Sequence, residues 1–168
     1  IRVRAISLNQ GELRYAMTRA PDGARPGWDF AGEVERAPLA GGGPAGTRVV
    51  GFVDGGAWSE RVCVAPSHIA VLPDEVPTTV ASTLPIAGLT ALWSLAEGGL
   101  LAGRKVLVSG ASGGVGHMAV QIAAASGAYV VGAVRKESQR SKVLADGASA
   151  VIVSDDLAEA VAHGPFDL

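Results

Sequence analysis

The residues with the clearest chemical meaning are Gly110-Ala111-Ser112-Gly113-Gly114-Val115-Gly116, which follow an apolar strand pattern and open a helical one. In register they read Ala111-x-Gly113-x-x-Gly116, a G/A-x-G-x-x-G arrangement placed between strand and helix. Gly113 would let the main chain approach a pyrophosphate, and Gly116 would let the helix pack closely on the strand. Free N–H groups at the positive end of the helix dipole would face the anion. We therefore read Ala111, Ser112, Gly113, Gly114, Val115 and Gly116 as a cofactor-binding loop. The structural alternative is a turn that merely joins strand to helix. ATP hydrolysis has little support, because no Gly-Lys-Ser/Thr follows at the spacing a phosphate-binding loop needs.

The next strand ends in Gly132-Ala133-Val134-Arg135-Lys136-Glu137-Ser138-Gln139-Arg140. An NAD-selective site commonly has Asp or Glu there for the ribose hydroxyls. Here two cations stand at that place and a third lies one helical turn on. Arg135, Lys136 and Arg140 are suited to charge-assisted bonds with a 2′-phosphate, which points to NADPH. Their alternative role is as solvated charges at an ordinary helix start. His68 and His117 lack the setting of an acid or base. Cys63 is expected to be a small apolar residue buried in a strand. No Tyr-x-x-x-Lys arrangement of the short-chain reductase type occurs.

These groups need a scaffold. From Lys105 onward the chain alternates: strand Lys105–Ser109, helix 114–126, strand 129–134, helix 137–146, strand 150–153, helix 156–161, and a strand beginning near Phe166. Two-sided apolar strands in that order predict a parallel sheet covered by helices. Residues 1–76 instead show short strands at 1–8, 28–35, 47–52 and 57–64, with a flexible loop at 39–46, which predicts a small antiparallel barrel or rolled sheet. A short helix is expected at Thr78–Ala81, and another at 85–97 with Leu89, Leu92, Trp93 and Ala96 on one apolar face. We place the domain boundary there, giving 1–97 and 98–168.

The 168 residues are 48% hydrophobic and 18% charged, with a net charge of -2, so no cationic field for nucleic acid is present. One cysteine rules out a disulfide within the chain and suits a reducing compartment. No uninterrupted apolar stretch of about 18 residues suggests a membrane span. No membrane partner is expected, and the default location is cytoplasmic. Ile1–Ile6 is an alternating pattern already under way, and the last residues begin another strand, as in a fragment. If the molecule ended at residues 1 and 168, weak cofactor binding without appreciable catalysis would be expected.

Four segments in order, Ala5–Asn9, Pro26–Val34, Leu84–Ala91 and Val108–Gly116, carry a family likeness. With them the chain resembles the medium-chain dehydrogenase/reductase superfamily, in its zinc-free quinone oxidoreductase and enoyl reductase-like branch. The resemblance implies part of a GroES-like β-barrel catalytic domain followed by part of an α/β Rossmann-type parallel sheet. It also implies NADPH as cofactor and a quinone, enone or related activated alkene or carbonyl as a small-molecule electron acceptor. An enoyl reductase domain acting on enoyl thioesters and a catalytically silent NADPH-binding redox sensor are the alternatives. It puts Asn9 on the substrate side and Thr90 near the nicotinamide; Asn9 or an ordered water would donate where negative charge develops on oxygen, and Tyr15 is a further candidate as a cleft hydroxyl. Their structural alternatives are a turn former, a local helical hydrogen bond and simple packing. No metal is expected, since zinc-dependent relatives carry an early Cys and a Gly-His-Glu segment. Here the corresponding stretches are Ser7-Leu8-Asn9-Gln10-Gly11 and Pro26-Gly27-Trp28-Asp29-Phe30. A homodimer is a further expectation of the resemblance.

Overall fold

The computed structural model describes residues 1–37 and 41–168. The chain divides into two compact units, Ile1–Ile86 and Ala87–Leu168.

In the first unit, strands β1 (Arg2–Ile6), β2 (Asp29–Glu33), β3 (Arg48–Phe52) and β4 (Ile69–Val71) form an antiparallel sheet in that order. Backbone bonds from Val3 N–H to Glu60 O and from Val62 N–H to Ile1 O cover the free edge of β1. Strand β2 is central and apolar on both faces. Phe30 packs with Ala57 and Val62, and Ala31 with Leu72 and Ala81.

Three expectations for this unit need correction. The stretch 57–64 makes only an isolated bridge, Arg2 to Arg61, and Cys63 is exposed. Strand β4 takes the expected fourth place. Residues Gln10–Thr18 form a helix, α1, where strands and turns were expected. Of the loop expected at 39–46, residues 39 and 40 lie outside the described residues, while Gly41, Gly42, Gly43 and Gly46 have positive φ. Helix α2 (Thr78–Ala81) forms as expected.

A π-helical turn, Leu84–Gly88, precedes helix α3 (Leu89–Ala96). Ala91 and Leu95 are buried, whereas Leu89, Leu92 and Trp93, expected to face the core, are exposed. Ala91 and Leu95 join a core that includes Val106, Ala119, Val120 and Ala123. Helix α3 therefore belongs with the second unit, so the break falls before it and not at 97/98.

The second unit contains β5 (Lys105–Ser109), α4 (Gly114–Ala125), β6 (Tyr129–Val134), α5 (Arg140–Ala145) and β7 (Ala150–Val153). The three strands are parallel, in the order β5-β6-β7. The regions read as helices at 137–146 and 156–161 begin or consist of 3-10 turns, Glu137–Gln139 and Ala158–His163. On the other edge of β5, Asp167 N–H donates to Lys105 O at 2.8 Å and Leu107 N–H donates to Leu168 O at 2.9 Å. Among the described residues no helix is long and apolar enough to cross a membrane.

Candidate cofactor site

Strand β5 ends at Ser109, paired with Ala133 of β6. Gly110 then turns the chain with φ +61°, a conformation that a side chain strongly disfavours. Gly113 N–H donates to Gly110 O at 2.9 Å, closing a tight turn, and Ala111 N–H donates to Ala133 O at 3.1 Å. The second bond holds the glycine turn beside the carboxyl end of β6. Helix α4 starts at Gly114 behind Gly113, and no side chain caps it. The first backbone bond back into the turn is from His117 N–H to Gly113 O. The N–H groups of Gly114, Val115 and Gly116 therefore precede any intrahelical acceptor.

The surroundings differ along the turn. A Cβ on Gly116 would lie 2.2 Å from Gly110 O, so this residue must be glycine for the helix to start where it does. A Cβ on Gly114 would meet no described residue within 4 Å outside its own helix and chain neighbours, and Gly113 and Gly114 are exposed. Uncapped donors beside open space form a cradle that fits an anion.

Arg135 and Lys136 leave the end of β6 exposed, and neither side chain has a hydrogen bond or ion pair among the described residues. Arg140 differs from them. Its Nε donates to Glu137 Oε1 at 2.6 Å and its Nη1 donates to Val151 O at 2.8 Å. The bond to Glu137 also holds the guanidinium above the usual arginine range. Thr90 is exposed on α3, and its hydroxyl has no partner among the described residues. His117 lies 3.7 Å from Asp146 and 2.8 Å from Gln121 Nε2, which makes it a link between α4 and α5.

In the first unit, Asn9 sits in a buried polar cluster. Its N–H and its side-chain amide both donate to Glu12 Oε1, at 2.7 and 2.9 Å, and the amide also donates to Asp29 Oδ2 at 2.7 Å. Both amide hydrogens are thereby committed. Asn9 has none left for another acceptor in this arrangement. Asp29 additionally accepts from the Ser7 hydroxyl and from Ile86 N–H, and Glu12 Oε2 accepts from Trp28 N–H. Glu12 is 1% exposed and Asp29 0%. Sequence reasoning missed both carboxylates. The available signal was Asn9-x-x-Glu12, which has the spacing of a capping box. Tyr15 lies on α1, exposed, and its hydroxyl has no partner among the described residues. His68 stacks on Phe52 with ring centroids 5.0 Å apart, a packing role. Among the described residues no group of three or more His, Cys, Asp or Glu is placed to hold a metal ion.

No protein-family model matches the chain. It is 33% identical over 147 residues to a lovastatin diketide synthase of Monascus pilosus, covering 84% of this chain and 6% of that protein. To a chloroplast envelope quinone oxidoreductase homolog of Arabidopsis thaliana it is 41% identical over 118 residues, covering 62% and 35%. The quinone oxidoreductase of Thermus thermophilus, solved also as a complex with NADPH, superposes with a TM-score of 0.82 at 30% identity, over 98% of this chain and 54% of that one. The chain thus spans about half the solved enzyme and a smaller share of each curated relative. Likeness in sequence and in fold together place it in the medium-chain dehydrogenase/reductase superfamily, in the quinone oxidoreductase and enoyl reductase-like branch.

Proposed function

We propose that the protein carrying this chain is an NADPH-dependent, zinc-independent oxidoreductase that reduces a quinone, enone or related activated alkene or carbonyl. The observation that carries this reading is the uncapped start of α4 at the carboxyl end of β5, with the cations Arg135 and Lys136, unpaired among the described residues, at the end of the adjacent β6. When bound, NADPH supplies the hydride.

The chain's own residues bind and orient. The N–H groups of Gly114, Val115 and Gly116 receive the pyrophosphate, and Ala111, Ser112 and Gly113 shape the turn around it. Arg135 and Lys136 would hold the 2′-phosphate, with Arg140 about one helical turn further along the chain. The Thr90 hydroxyl, without a partner among the described residues, suits the nicotinamide half. Asn9 is a positioning residue that holds Glu12 and Asp29 together, and Tyr15 is the candidate hydroxyl on the substrate side. Zinc independence rests on donor chemistry. Trp28 stands where zinc-dependent relatives have histidine, and both Asp29 oxygens already accept hydrogen bonds.

A second reading, an enoyl reductase domain within a larger assembly, is favoured by the match to a diketide synthase of which the chain covers only 6%. Nicotinamide absorbance of the purified full-length protein, followed with quinones, enones and enoyl thioesters, separates the two. Turnover with quinones or enones supports the first reading. Turnover confined to enoyl thioesters selects the second, and NADPH binding without turnover in any class selects a redox sensor.

A further inference from the structure

Charges at the end of β6 are not equivalent. Arg135 and Lys136 are exposed and unpaired among the described residues, whereas Glu137 and Arg140 form a closed pair at 2.6 Å. Arg140 is tethered a second time by its bond to Val151 O, the carbonyl of a β7 residue. A guanidinium with two fixed partners has little freedom to follow a ligand. A glutamate neutralised by that guanidinium no longer opposes an incoming phosphate. Glu137 has the charge and the acceptor oxygens that would suit unphosphorylated ribose hydroxyls. Its location ties it to the cradle. It follows Val134 and the two cations on the strand whose Ala133 carbonyl accepts the Ala111 N–H of the glycine turn.

We infer that Arg140 sets the preference for a 2′-phosphorylated dinucleotide indirectly, by holding Glu137 down, while the phosphate contacts themselves fall to Arg135 and Lys136. The inference rests on the nucleotide site proposed above. It makes Arg140 a positioning residue and Glu137 the group whose release would turn the site toward NADH.

The test is a double-mutant cycle on the full-length protein, with dissociation constants for NADPH, NADH and 2′,5′-ADP measured by calorimetry. Arg140→Met is expected to weaken NADPH and 2′,5′-ADP by about three- to fivefold, the size of an exposed ion pair, with NADH unchanged or tighter. Arg140→Lys, which can keep the pair, retains the preference for NADPH. Glu137→Gln keeps NADPH affinity. Adding Arg140→Met to Glu137→Gln then costs nothing further, because the charge to be restrained is gone.

An equal loss of NADPH affinity from Arg140→Met in both backgrounds would make Arg140 a direct phosphate ligand and overturn the inference. Equal weakening of NADPH and NADH would reduce its role to holding the fold, and overturn it as well. If the wild-type protein binds neither dinucleotide, the nucleotide-site reading fails and takes this one with it. Binding of NADPH with no coupling between the two positions sinks the clamp alone.

Discussion

Gly114 and Gly116 lie two residues apart in the first turn of α4, yet their surroundings demand opposite responses to the same substitution. Helix propensity alone favours alanine over glycine by about 1 kcal/mol at either position. At Gly116 the new carbon would meet Gly110 O at 2.2 Å, a backbone atom that cannot swing aside. Gly116→Ala should therefore destabilise by roughly 1–3 kcal/mol in chemical denaturation. Gly114→Ala meets nothing within 4 Å and should not destabilise, but it should weaken NADPH in calorimetry by filling the proposed cradle. Unchanged NADPH affinity in Gly114→Ala would remove that turn from the site. The Asp29 carboxylate, fully buried, can be argued in the same way. It is the acceptor for Ser7, Asn9 and Ile86 N–H, so Asp29→Ala leaves three donors without it. The expected loss is roughly 3 kcal/mol or more by urea unfolding; a loss under about 1 kcal/mol would mean that water replaces the carboxylate.

Between elements, solvent-exposed charge pairs brace the antiparallel sheet. Arg4 on β1 bonds Glu33 on β2 at 3.0 Å, and Arg61 bonds Glu35 at 2.8 Å. The hydrogen bond from Arg4 holds the Glu33 carboxyl below its ordinary 4.5, and that from Arg61 does the same for Glu35. A lowered folded pKa contributes stability that is complete above the unfolded value and is lost as pH falls through the folded one. Thermal unfolding should therefore separate wild type from Glu33→Gln/Glu35→Gln above pH 5, and the gap should close as the pH falls below the lowered folded values. Added salt should shrink the gap too, because the pairs are exposed. A gap that persisted in acid would assign it to packing. Elements differed in how plainly the sequence announced them. The bounds of β5, β6 and β7 were readable because each is a nearly continuous apolar run that opens shortly after a glycine, as strands of a parallel sheet covered by helices do. Helix α1 was not, since Glu12 is its sole buried residue and a hydrogen-bonded start at Asn9 takes the place of an apolar stripe. On α3 the larger apolar residues misled. The helix packs through Ala91 and Leu95 on a core that includes Ala119 and Ala123 of α4, and leaves Trp93 67% exposed. Small residues permit close helix approach, a preference that a search for large apolar faces overlooks.

Across the molecule, the order of strands says where a ligand belongs. In the second unit the sequence runs from β5 outward through β6 to β7, and residues 167–168 then bond to the opposite edge of β5. The chain thus reverses direction across the sheet at β5, and in open parallel sheets ligands sit beyond the carboxyl ends of the strands at such a reversal. That end of β5 is where the glycine turn lies. The turn itself was legible in the sequence, because its glycines sit at fixed offsets between a strand and a helix. The buried carboxylate cluster of the first unit was hidden, because its partners come from residues 7, 9, 12, 28, 29 and 86, brought together only by folding. The strand order therefore predicts where cofactor binding will be felt. The amides of Gly114, Val115 and Gly116 have no helical acceptor and should exchange readily in the free protein. NADP at a hundredfold excess over its Kd should slow their exchange by up to about a hundredfold, the factor by which the free form is depleted. Amides of β5 and β6, already bonded to neighbouring strands, should change far less. Hydrogen exchange resolved by mass spectrometry over residues 110–117 reads this directly. Calorimetric binding of NADP without protection in that peptide would move the dinucleotide away from the α4 N-terminus and remove the basis for assigning Arg135 and Lys136 to its phosphate.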